Sequence, residues 1–71
     1  MEGIRAKLLD IQVREGLTDG QMATRLGIVR SYWHGIRSGK LTLSAKVAMR
    51  AVGQWPELSM DLLTAAAESA A

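Results

Sequence analysis

Cysteine is absent from the 71 residues, and histidine and proline occur once each. Without cysteine there is no disulfide framework, no redox pair and no thiolate metal site, and a lone histidine cannot make a ligand set, so no cofactor or metal is expected. The sequence also shows no carboxylate pair, no nucleophile with a neighbouring base and no glycine-rich phosphate loop, so an enzyme is not expected. Long apolar runs are missing too. The nearest thing is the alanine-rich tail after Asp61, far short of the ~20 residues that a bilayer span needs. The N-terminus alternates charge with apolar residues rather than showing a signal peptide, which makes the cytoplasm the expected location. Strand-like alternation, internal repeats and linkers are absent as well, which leaves short helices to account for the chain.

At this length the chain is one domain, residues 1–71, with a small core. A chain of this size buries only about 60% of the surface its unfolded form exposes, so stability is marginal and pairing with a second copy would help. Charge is segregated along it. Residues 1–50 hold nine basic and four acidic side chains, and residues 51–71 hold three acidic and none basic. Between Gly20 and Arg50 there are six basic residues and no acidic one, a distribution that suits a polyanionic partner.

Five helices can be placed. In the first, over 1–15, Ile4, Leu8 and Ile11 fall at i, i+4 and i+7, with Leu9 and Val13 widening the stripe and Gly16 ending it. Thr18 reads as the N-cap of the second, with Gln21 closing a capping box and Leu17 stapling against Met22. Met22, Ala23 and Leu26 face inward there, and Gly27 stops the helix. The third spans about 29–37. Its apolar stripe of Val29, Trp33 and Ile36 turns Arg30, Ser31, His34, Gly35, Arg37 and Ser38 outward, and Gly39 ends it. Thr42 or Ser44 caps a fourth helix that runs to about Val52, with Gly53 stopping it. A fifth begins near Pro56 or Ser59, and its last few residues are expected to fray. Trp33 and Trp55 stand where the pattern demands apolar residues, so both are read as core or interface.

The stretch from Leu17 to Lys40 resembles, without a gap, the helix-turn-helix of the lambda-repressor and Cro family, often called the Xre family. The likeness is carried by Leu17, Thr18, Ala23, Gly27, Ile28, Trp33, Ile36, Gly39 and Lys40. It implies an all-α, compact five-helix domain with its helix-turn-helix at 18–38. Base-reading positions then fall on Arg30 and Ser31, with a third one turn later on Gly35. His34 and Arg37 share the outward face and join them as candidate base contacts. Tyr32, Ser38 and Lys40 match the family's phosphate contacts. Asp19 stands where the family commonly has Gln; a carboxylate there would repel phosphate, so it is not counted.

Three departures bear on the reading face. Val29 replaces the usual Ser or Thr cap, Gly35 has no side chain, and Arg37 takes the place of a Glu that the family pairs with a basic residue of the first helix. Here that first-helix residue is Gln12, so Arg37 is expected to be free for phosphate or base. The resemblance implies a sequence-specific regulator of transcription, a repressor of the phage or mobile-element type, that binds a palindromic duplex operator as a homodimer. Leu58, Met60, Leu62 and Leu63 supply the expected dimer interface. The alternative is an antitoxin-like module that masks a protein partner with its C-terminal helix.

Overall fold

A computed structural model describes the backbone of residues 2–70 and the side chains of residues 3–67. Among these residues the chain forms five α-helices and no strand: α1 (Glu2–Glu15), α2 (Asp19–Leu26), α3 (Arg30–Arg37), α4 (Ala45–Gln54) and α5 (Ser59–Ala70), with a 3₁₀ turn at Pro56–Leu58. The expected fraying at the C-terminus concerns residues 68–71, whose side chains lie outside the described residues.

The helix boundaries follow from local chemistry. Gly16, Gly27 and Gly39 all have positive φ, the left-handed conformation that ends a helix cheaply only at glycine. At α2 the capping box is complete. The Gln21 N–H donates to Thr18 Oγ1 at 3.1 Å, and the Thr18 N–H donates back to Gln21 Oε1 at 2.9 Å. Of the two candidate caps for α4, Ser44 is the one used, accepting from the Val47 N–H at 3.3 Å. Gly53 does not stop this helix. It lies inside α4, which continues to Gln54 until Pro56, lacking an N–H, redirects the chain into the 3₁₀ turn.

Fourteen side chains make the core: Ile4, Leu8 and Ile11 from α1; Met22, Ala23 and Leu26 from α2; Trp33 and Ile36 from α3; Leu43; Val47, Ala48 and Ala51 from α4; then Trp55 and Leu58. Val13 does not widen the α1 stripe. It is exposed, because two positions beyond Ile11 along a helix of 3.6 residues per turn points it away from the packed face. Leu58 is likewise not at a surface, since the 3₁₀ turn drives it fully into the core. Leu62 is half-buried, while Met60 and Leu63 of α5 stay exposed.

Two arginines tie α3 to its neighbours through backbone rather than through acid groups. Arg5 of α1 donates from Nε to the Ile36 carbonyl at 2.8 Å, which also accepts from the Gly39 N–H at 3.1 Å, and from Nη2 to the Arg37 carbonyl at 2.8 Å. Arg50 of α4 donates to the Gly27 carbonyl at 3.0 Å, in the turn that separates α2 from α3.

Two substitutions check this packing. Leu58→Ala should cost about 2–5 kcal/mol, and the loss in urea unfolding should not depend on protein concentration, as a core position requires. Thr18→Ala should cost about 1 kcal/mol through the lost cap.

Candidate nucleic-acid interface

Helix α3 has one face in the core and one in solvent. Trp33 and Ile36 are fully buried and Tyr32 is half-buried against the same core. Stepping about 100° per residue, the opposite direction is that of Ser31, His34 and Ser38, with Arg30 and Arg37 on one flank and Gly35 on the other. Arg30, Ser31, His34, Arg37 and Ser38 are exposed. Two open depressions in the surface share Arg30. One is bordered by Thr18, Asp19 and Gly20 at the start of α2, and the other by Ser31 and His34.

The turn feeding α3 is set by Gly27 and by Val29. The Ile28 N–H bonds back to the Ala23 carbonyl at 3.0 Å. Val29 holds the N-cap position with no side-chain hydrogen bond, so the first N–H groups of α3 are left open toward solvent. Arg30 begins the helix at that uncapped end, and among the described residues its guanidinium has no ion pair or hydrogen-bond partner. Lys40 and Lys46 share that condition. The Ser31 hydroxyl is also uncommitted, whereas Ser38 donates its own to the Gly35 carbonyl at 3.1 Å.

Arg37 is not free, contrary to the expectation from sequence. Its Nη2 lies 3.0 Å from Asp19 Oδ2 and 3.2 Å from His34 Nδ1, and His34 Nδ1 is 3.7 Å from the same carboxylate oxygen. Asp19 in turn accepts from Gln12 Nε2 at 2.9 Å. The acid missing from the position of Arg37 is thus supplied from the start of α2. With the guanidinium now on α3 and the carboxylate on α2, the ion pair links those two helices, and Gln12 brings in α1. The Gln12 hydrogen bond, above all, holds the Asp19 carboxyl below the usual carboxylate range; burial opposes this, and Arg37 and His34 add to the lowering.

Gly35 is a second correction. It is buried, and a Cβ added there would stand 2.5 Å from Leu41 Cδ1 and 2.8 Å from Leu41 Cγ. The side chain of Leu41 fills the space that residue 35 leaves empty, so Gly35 itself offers nothing to a ligand. The segment after α3 is fixed in place by the Gly35 carbonyl, which accepts from the N–H groups of both Lys40 (2.9 Å) and Leu41 (3.0 Å).

The remaining candidates fall in two places. Tyr32 is half-buried on the core side of α3, and Lys40 is exposed in the segment that follows the helix. Of the residues expected at a dimer interface, Met60 and Leu63 on α5 are exposed, Leu62 is partly so, and Leu58 is withdrawn into the core. Arg50 spends its guanidinium on the Gly27 carbonyl. That role has no signal in charge spacing and depends on how α4 crosses the turn.

Comparison with known proteins finds no matching family model and no match among curated proteins or solved structures.

The buried side of this face predicts an acid-dependent stability. Because the folded Asp19 carboxyl lies below its unfolded value of about 3.9, its contribution is complete above that value and is lost as pH falls through the lower folded one. The stability gap between wild type and Asp19→Asn should therefore be widest near neutrality and shrink below pH ~4 in denaturant titrations.

Proposed function

We propose that the chain is a sequence-specific duplex-DNA-binding protein, a regulator of transcription that inserts α3 into the major groove as the second helix of a helix-turn-helix. The observation that carries the reading is the solvent face of α3. Among the described residues it presents Arg30 without a partner at an uncapped helix start, then Ser31 and His34, and the nearby Asp19 carboxylate is already engaged by Arg37 and Gln12. Supporting it are the short two-helix unit joined through a left-handed Gly27 and the Leu17 to Lys40 resemblance to the lambda-repressor and Cro family.

The roles follow from chemistry. Arg30 can donate two hydrogen bonds to guanine O6 and N7, Ser31 and His34 offer shorter polar contacts beside it, and Lys40 meets the phosphate backbone as a point charge. Arg37 is preset by Asp19 at the flank of the groove. One helix of eight residues reaches few base pairs. A homodimer on a palindromic site, paired through Met60, Leu62 and Leu63 of α5, multiplies the affinity. The same exposed Met60 and Leu63 favour the second reading, in which α5 covers a protein partner.

Selection of bound duplexes from a random pool decides between these readings. Enrichment of a palindrome supports the first, and failure to enrich any sequence overturns it. On the enriched site, Lys40 neutralising one phosphate per protomer contributes about −0.9 to the log-log salt slope. Arg30→Ala should flatten preference at one base pair by roughly 1–3 kcal/mol, while Lys40→Ala should weaken all sequences alike.

A further inference from the structure

We propose that Leu41, from the segment after α3, is a specificity residue that reads a thymine methyl group in place of the side chain missing at Gly35; this rests on the DNA-binding reading above.

The geometry is specific to this chain. Ser31, Gly35 and Ser38 fall at i, i+4 and i+7, one continuous stripe along α3. At its middle the stripe has no side chain of its own, and the isobutyl group of Leu41 occupies the vacancy, packed so closely that even a Cβ on residue 35 would collide with it. Leu41 is nevertheless 47% exposed, so it fills the gap and still presents methyl groups to solvent. It is also held there. The Gly35 carbonyl accepts from the backbone N–H groups of Lys40 and Leu41 and from the Ser38 hydroxyl, which ties the segment onto the helix whose face it completes.

An exposed leucine beside a polar, cationic face has one chemical counterpart among base edges in the major groove, the C5 methyl of thymine. The opposite flank carries Arg30 and Arg37, which suit guanine and phosphate. The face is therefore divided, with hydrogen-bond donors on the side of α2 and an apolar surface on the side of Leu41.

The test uses the full chain and the duplex enriched by selection, with each thymine replaced in turn by deoxyuridine, which removes only the methyl. Wild type should lose about fourfold in affinity at one position of each half-site, the value of one buried methyl-sized group. Leu41→Ala, which removes the contact from both protomers, should bind the thymine duplex about as weakly as wild type binds a duplex with uracil at that position of both half-sites, about sixteenfold below wild type on thymine, and should not distinguish thymine from uracil there. Gly35→Ala, whose Cβ displaces Leu41, should lose the same discrimination, with circular dichroism confirming that both variants keep their helices. A site bound specifically but with no methyl dependence at any position overturns the proposal and leaves the DNA-binding reading intact. The same holds if Leu41→Ala retains the methyl dependence. A selection that enriches no duplex overturns both.

Discussion

The side-chain amide of Gln12 is the joint on which three helices depend. Its Oε1 accepts from the Trp33 indole N–H at 3.2 Å, and its Nε2 donates to the Leu17 carbonyl at 3.1 Å and to Asp19 Oδ1 at 2.9 Å. The indole can only donate, so it fixes which end of the amide faces it, and the other end must then donate toward the carbonyl and the carboxylate. One neutral group thereby satisfies the polar atom of the largest fully buried side chain and sets the start of α2. It also orients the carboxylate that holds Arg37. No polar side-chain atom among the described buried residues lacks a partner, which for so small a core removes a cost it could ill tolerate.

The basic stretch from Gly20 to Arg50 looks uniform in the sequence and is not uniform in space. Arg50 is used at the Gly27 carbonyl, Arg37 is paired with Asp19, and Arg25 lies 3.8 Å from Glu15. Arg30, Lys40 and Lys46 are left without partners among the described residues. Elsewhere the charges join α1 to the C-terminal segment, through Arg14 with Glu57 at 2.9 Å and Lys7 with Asp61 at 4.0 Å. The acidic end of the chain is thus partly neutralised against α1, away from the exposed face of α3.

Most of the framework is legible in the sequence because it rests on local rules. The Thr18 and Gln21 capping box, the stop at Gly27, the inward Trp33 and the i, i+4, i+7 stripe of α1 each follow from neighbours within a turn or two. What could not be read depends on the path of the chain between and after the helices. Asp19 and Arg37 stand eighteen positions apart, and nothing in local spacing pairs them; only the α2 to α3 crossing does. Leu58 has the composition of an interface residue, and only the 3₁₀ turn after Pro56 decides that it points inward. Gly35 shares the outward period of α3, yet the tertiary return of the chain at Leu41 buries it.

Helix α3 is clamped at both ends, by Arg50 at the turn before it and by Arg5 on its last carbonyls. Both clamps hold backbone atoms, so they fix the pose of the helix whatever side chains it displays. On the proposed DNA-binding reading, a helix held by its backbone at both ends has little freedom to adjust to a groove. The adjustment would fall on the duplex, whose groove width and ease of bending vary with sequence. Base pairs that no side chain touches would then influence binding through the stiffness of the DNA itself.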